Sequence, residues 1–402
     1  MAGSINRRQL LAMLGAAGVG AVAGGCGSSV GGGGGGGPAT PGGAIKVGLV
    51  IPQAGVYAPL GVDMKNAWDL WLERNQNKLG NYRVTTIAAD EGEGPQTGVP
   101  AVQKLLQSDQ VDVLVGIVNS STALGVKDTV TEAKKLLMVS NAGAGAITGK
   151  DRVPYIWRTS FTNAQVSSAM GTYLAGSGKT AYAIAPDYAA GAEAIGGFTA
   201  AFTAGGGRVV REAKPAFGKT QDYQPFLSQI QASGAQLTFC FFAGAEAVAF
   251  VKQYAQFGLS TRIPLYGSGF LTEGGVLTAQ GDAAVGVQTT LHYSTELDNA
   301  ANQAFRSAYQ AKYNKPPTVY AVQTWDAATV LNRALRTATG LQGEAIAAAL
   351  GSVGTIDDSP RGPWTFDGQS PKQTFYLRKV EKRGDGLVNA VVQDLGASSQ
   401  PT

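Results

Sequence analysis

From Ala44 onward, short apolar runs rich in β-branched residues alternate with longer stretches whose apolar positions recur at helical spacing. Ile45 to Ile51 reads as a first strand, followed by a Gly/Pro-containing loop and a helix from about Leu60 to Asn77. Strands are expected at Arg83 to Ala89, Val111 to Val118 and Leu136 to Ser140, with helices at Val99 to Ser108 and Thr122 to Lys135 between them. The pattern restarts after Pro154. Helices near Gln165 to Ala175, Ala190 to Ala204 and Tyr223 to Ser233 alternate with strands at Thr180 to Ala185, Arg208 to Glu212 and Leu237 to Phe242. Strands separated by helices of about ten or more residues imply parallel βαβ units. Two such runs predict two similar α/β lobes built on parallel strands.

In open parallel sheets, ligands bind outside the carboxyl ends of the strands. The loops to inspect are therefore Pro52 to Pro59, Asn119 to Thr122, Asn141 to Gly145, Pro186 to Gly191, Ala243 to Glu246 and Gly267 to Phe270. They are small, hydroxylic or aromatic, and offer no Ser-His-Asp set. Asn119, Ser120 and Ser121 follow a buried strand and open a helix. Hydroxyls and backbone N–H groups there suit a carboxylate, aided by the helix dipole. The same residue types also serve as ordinary helix caps. "AGAGAITGKD" fails the phosphate-loop pattern, because Ala144 stands where the first glycine is needed and Asp151 replaces Ser/Thr.

The segment before Ala44 is different. Residues 1–43 carry no Asp or Glu; Arg7-Arg8 precede an apolar run from Leu10 to about Ala23, and Cys26 follows Ala23-Gly24-Gly25. These are the parts of an export signal, with an apolar stretch too short for a good spanning helix. Asn6 to Leu11 resembles a twin-arginine signal, and Ala23 to Cys26 a lipoprotein processing site with Ala23 in place of the usual leucine. Residues 1–25 are expected to be the signal, with Cys26 as the lipid anchor. Residues 26–43, with seven consecutive glycines from Gly31 to Gly37, are expected to be a tether.

Composition narrows the function classes. One histidine and two cysteines in 402 residues leave no ligand set for a zinc or iron site, so no metal and no cofactor is expected. Cys240, in an apolar run, reads as a buried core residue. Trp68, Trp71 and Trp325 fall within helical periods and read as packing. With 32 basic against 28 acidic residues and a formal net charge of +4, the surface is balanced, and nucleic acid is an unexpected partner.

The order of several landmarks resembles the type I periplasmic binding proteins of the branched-chain amino-acid and amide group, extracytoplasmic receptors of ABC importers. "IKVGLVIPQAGVYAPLG" is similar to the family's opening strand and first binding loop, and "DEGEGPQTGVPAVQKLL" to its acidic loop and following helix. "VDVLVGIVNSST" resembles the apolar strand running into a Ser-rich loop. "YIWRTSFTNAQ" resembles the first crossover, with Asn163 where Asp is commoner. "PDYAAG" and "GLSTRIPLYGSGF" resemble second-lobe passages.

The resemblance implies two doubly wound lobes joined by three crossovers around a cleft, closing on ligand by a hinge motion. The lobes would be about 44–160 plus 287–373 and 161–286 plus 374–396. It implies ligand contacts at Ser120 and Ser121, at the backbone of Ala142 and Gly143, and at Tyr188, with Tyr57 and Phe270 as further aromatic candidates. Two family features are missing: Ala144 replaces a ligand-gripping Thr, and Gly267 to Phe270 holds no acid for an α-ammonium. Glu246 is a candidate substitute acid, or else a solvated residue opening a helix.

These departures argue against a standard aliphatic amino acid and toward an apolar or aromatic carboxylate or an amide-like solute. The expected function is a non-enzymatic solute receptor, monomeric, lipid-tethered outside the cytoplasm, that presents a small molecule to ABC permease subunits. A ligand sensor for a signalling partner is the alternative in the same class. An exported α/β enzyme is the remote one, since the first strand runs into neither GxSxG nor GxGxxG.

Overall fold

The computed structural model describes residues 43–401. The expected export signal, Cys26 and all of the tether but Gly43 lie outside the described residues. The first sheet contains β1 (Ala44–Ile51), β2 (Lys78–Leu79), β3 (Tyr82–Asp90), β4 (Val113–Gly116), β5 (Leu136–Val139) and β6 (Ile156–Arg158). They lie in the order β2-β3-β1-β4-β5-β6, parallel except for the β2–β3 pair. β4 and β5 are buried at every position, which is why they read as unbroken apolar runs.

Around this sheet run α1 (Ala58–Arg74), α2 (Pro95–Gln107), α3 (Ser120–Gly125) and α4 (Lys127–Ala133). The single helix expected over Thr122 to Lys135 is thus two short ones, interrupted at Val126 (φ −89°, ψ −6°). Gly125 and β-branched Val126 together weaken the helix at that point. The strand expected over Val111 to Val118, β4, ends at Gly116, because Gly116 and Ile117 take φ of +130° and +67°. Only glycine fits at 116, where a Cβ would lie 2.0 Å from the Val50 carbonyl oxygen.

The second sheet contains β7 (Thr180–Ile184), β8 (Arg208–Ala213), β9 (Leu237–Cys240), β10 (Leu265–Ser268), β11 (Gln288–Leu291), β12 (Thr365–Asp367), β13 (Ser370–Arg383) and β14 (Gly386–Ser398). Strands β8-β7-β9-β10-β11 are parallel, and β13 adds to β11 antiparallel. Its helices are α5 (Asn163–Leu174), α6 (Ala189–Ala204), α7 (Gln224–Ala232), α8 (Gly244–Gln256) and α9 (Gly275–Gln280). α5 starts on a capping box, in which Thr162 and Gln165 each bond the other's backbone N–H.

The chain then returns to the first lobe through α10 (Ala300–Tyr313), α11 (Val319–Thr337) and α12 (Gly343–Leu350). α11 is buried at most positions because it lies along α1. There Trp71 Nε1 donates to Thr329 Oγ1 at 3.0 Å.

Three crossovers therefore join the lobes, after β6, after β11 and after α12. The expected lobe boundary at 287 needs moving. β11, which that boundary places in the first lobe, pairs in the second sheet. Landmark residues locate a crossover only roughly, whereas hydrogen-bond pairing decides which sheet a strand joins.

Both sheets have the same winding. β1 lies between β3 and β4, and β7 lies between β8 and β9. At each of these points successive crossovers leave in opposite directions, which opens a crevice at the strands' carboxyl ends. The loops leaving the two switch points line one shared cleft.

Candidate functional site

The cleft is lined by Tyr57 and Leu60 after β1, Val118 and Ser120 after β4, and Asn141 and Gly143 after β5. Phe161 and Asn163 come from the first crossover. Tyr188 and Ala190 follow β7, Phe241 and Ala243 follow β9, Phe270 follows β10, and Tyr320 comes from the start of α11. The enclosed space is about 20 Å³, roughly enough for a single water. The aromatic rings fill the rest.

Those rings form a continuous cluster. Phe161 and Phe270 have ring centroids 4.6 Å apart, Phe270 lies 6.1 Å from both Phe241 and Tyr320, and Tyr188 stacks on Phe217 at 4.4 Å. The Tyr57 and Tyr188 hydroxyls meet at 2.7 Å across the two lobes. Burial raises the pKa of both phenols, so both remain neutral. With the lobes closed in this way, a ring-sized ligand gains access only when they part.

The polar end is built by the loop after β4. Ile117, a β-branched residue at φ +67°, carries backbone strain of about 1–3 kcal/mol. What holds it is Glu91, fully buried, which accepts from Val118 N at 2.7 Å and Asn119 N at 2.6 Å. Burial pushes the Glu91 carboxyl up to about 8, against the lowering effect of those two donors. Asn119 then caps α3, its Oδ1 accepting from Ser121 N at 2.8 Å and Thr122 N at 3.2 Å, while its Nδ2 donates to Glu93 O at 2.9 Å.

The cap reading and the ligand reading of this loop are thus divided among its residues. Asn119 takes up the helix-start N–H groups, and Ser120 faces the cleft. Ser121 is not among the lining residues.

The next loop is organised by Arg158. Its guanidinium, buried with no carboxylate bonded to it among the described residues, donates to Thr148 Oγ1 at 2.9 Å, Phe161 O at 2.6 Å, Ala142 O at 3.2 Å and Ala144 O. Burial lowers its pKa to about 9. Ala142 O also accepts from Ser160 Oγ, so this carbonyl is engaged inside the fold, and Ala142 does not line the cleft while Gly143 does. Glycine is required at 143, since a Cβ would meet Asn163 Oδ1 at 2.4 Å and the Phe161 ring at 2.6 Å.

Glu246 lies behind the second-lobe wall rather than in it. It is buried, its Oε1 accepts from Gly218 N at 2.9 Å, and its Oε2 has no partner. Burial, reinforced by the Glu93 charge, raises its pKa to about 7. The solvated alternative considered from sequence is therefore replaced by a buried one. Of the site residues expected from sequence, Tyr57, Ser120, Gly143, Tyr188 and Phe270 come together around the cleft. Ser121, Ala142 and Glu246 sit outside its lining.

Sequence reading missed Leu60, Val118, Phe161, Phe241 and Tyr320 as lining residues. The apolar run places Phe241 inside a strand reaching Phe242, whereas β9 ends at Cys240. Phe161 follows β6, a three-residue strand that the apolar pattern does not mark, and Tyr320 lies at the second position of a helix, so no local signal marked them. Among the described residues no three His, Cys, Asp or Glu gather as a metal group, and no helix is long and apolar enough to cross a membrane. Cys240 is buried, as are Trp68 and Trp71, while Trp325 is partly exposed.

A family model described as periplasmic binding protein matches residues 44–385. The chain is 32% identical over 366 residues to "Leu/Ile/Val-binding protein homolog 6" of Brucella melitensis, covering 89% of this chain and 93% of that protein. Among solved structures, it is similar to a solute-binding protein of an ABC transporter from R. palustris in complex with benzoate. That likeness has 37% identity and a TM-score of 0.83, over 89% of this chain and 98% of the other. A second R. palustris solute-binding protein, in complex with 4-hydroxybenzoate, is 30% identical with a TM-score of 0.83 over the same shares.

Proposed function

This chain belongs to the periplasmic binding protein family, and from that premise we propose that it is the receptor of an ABC importer for a small aromatic carboxylate of the benzoate class. The observation that carries the ligand assignment is the cleft lining. Six aromatic rings surround one cluster of neutral polar groups, the Ser120 hydroxyl and the Asn141 and Asn163 amides, and no acid lines the cleft. An α-ammonium would be left unpaired there, which disfavours an amino acid. A flat ring would exchange contacts with Phe161, Phe241, Phe270 and Tyr188, while its carboxylate would accept hydrogen bonds at the polar end.

The family's members are binding proteins that work outside the cytoplasm, and the protein is read as a receptor rather than an enzyme. Attachment through a lipid on Cys26 and action as a monomer complete the proposal. They rest on the leader sequence and on a cleft made within one chain. A sensor role for a signalling partner would use the same site.

Isothermal titration of the leaderless protein tests the ligand assignment. Benzoate is expected to bind and leucine to bind far more weakly; leucine binding with benzoate silent overturns it. A Cys26→Ala variant released from the membrane fraction would support the anchor, and unchanged membrane attachment would refute it.

A further inference from the structure

Glu193 lies on α6, outside the cleft lining, yet it reaches two groups that matter there. Its carboxylate accepts from Asn163 Nδ2 at 2.9 Å and from Gly145 N at 3.1 Å. Asn163 Nδ2 also donates to Ser120 Oγ at 3.2 Å. An ionised carboxylate can only accept, so it decides which end of the Asn163 amide points toward it. That end is the NH₂, whose two protons go to Glu193 and to Ser120. Ser120 Oγ, having accepted from Asn163, is left with its own proton to give to whatever occupies the cleft.

We infer that Glu193 is a specificity-determining positioning residue, which fixes the Asn163 amide so that Ser120 presents a donor and the site selects an acceptor group such as a carboxylate over a donor such as an amide NH₂. The inference rests on the aromatic-carboxylate reading and gives it a mechanism. Discrimination arises from the polarity of a three-member network in which the controlling member never touches the ligand. In Glu193→Gln, the new side chain can accept from Gly145 N through its oxygen and donate through its amide. That lets Asn163 turn its Oδ1 toward Ser120 and take the hydroxyl proton.

The test compares benzoate with benzamide, which have the same ring; benzamide can still turn its carbonyl oxygen to Ser120, but it carries no charge and brings an NH₂ donor of its own. Titration calorimetry on wild type, Glu193→Gln and Glu193→Ala reads both dissociation constants. Wild type is expected to prefer benzoate. Either variant is expected to weaken benzoate about tenfold or more and benzamide less, so that the ratio of the two constants shifts. Glu193→Ala serves as the second variant because it releases the Asn163 amide without placing a charge in the cleft, should Glu193→Gln fail to fold.

Equal weakening of both ligands would overturn the inference, leaving Glu193 as a tie between the lobes through Gly145. If wild type binds neither ligand, the aromatic-carboxylate reading fails and the inference with it.

Discussion

The two walls of the cleft are made by the same device, loops leaving the switch point of a doubly wound sheet; both carry aromatic rings, but the serine and amide groups stand on one wall only. The first-lobe loops after β4 and β5, with the adjoining crossover, present Ser120, Asn141, Gly143 and Asn163. Behind them sit a buried carboxyl group at Glu91 and a buried guanidinium at Arg158, which hold backbone groups in place. The second-lobe loops present Tyr188, Ala190, Phe241, Ala243 and Phe270, which are rings and methyl groups apart from the Tyr188 hydroxyl, itself paired with Tyr57. Polar recognition needs geometry set in advance, because a misplaced donor leaves a desolvated charge unpaired. Apolar recognition needs covered area, which is non-directional. The first lobe is therefore built to orient a ligand, and the second to enclose it when the lobes close.

The largest expected effect tests whether the aromatic wall is part of the fold's core. Phe270 is 2% exposed and packed against Phe161, so Phe270→Ala is expected to cost about 3–5 kcal/mol of stability, read by denaturant unfolding. An unchanged unfolding midpoint would break the comparison. The polar wall should behave in the opposite way. Ser120→Ala is expected to weaken benzoate about tenfold to a hundredfold by calorimetry, with the melting temperature nearly unmoved.

A smaller effect is expected where the walls meet. Tyr188→Phe removes the hydroxyl pair with Tyr57 and keeps the ring stacked on Phe217. The expected loss of affinity is about two- to tenfold, and a loss as large as that of Ser120→Ala would mean that the second lobe orients the ligand too.

The smallest effect concerns pH. Glu246 behind the aromatic wall has its folded pKa raised from an ordinary 4.5 to about 7, so the folded state binds the extra proton between those values. Stability therefore falls as pH rises through that window and the loss is complete above it. Glu91, raised to about 8, acts in the same direction over a wider window. The melting temperature of wild type is expected to drop from pH 5 to pH 8, and that of Glu246→Gln to drop less. Parallel curves for the two proteins would show that Glu246 is not the buried group titrating.

Legibility from sequence followed the range of the interactions. Strands such as Leu136–Val139 announced themselves because a strand buried on both faces must be apolar throughout, and Ser120, Gly143 and Tyr188 could be singled out because loops after parallel strands point into the cleft. Tyr320 begins a helix more than a hundred residues away from these loops, and Glu193 is the fifth residue of an otherwise apolar helix; neither position carries a local mark. The boundary at 287 failed for a similar reason, since whether Gln288–Leu291 belongs to one sheet or the other depends on pairing with Leu265–Ser268 and Arg378-containing β13.

The order of apolar runs, glycines and loop residues along the chain was enough to determine two wound lobes and a cleft at their strand ends, because periodicity and backbone sterics act between near neighbours. Tertiary structure alone decided that the cleft closes on its own rings, that Asn119 caps while Ser120 faces inward, and that a second-lobe glutamate sets the polarity of a first-lobe serine. Those outcomes depend on hydrogen-bond direction and burial between residues far apart in sequence, which no local pattern encodes.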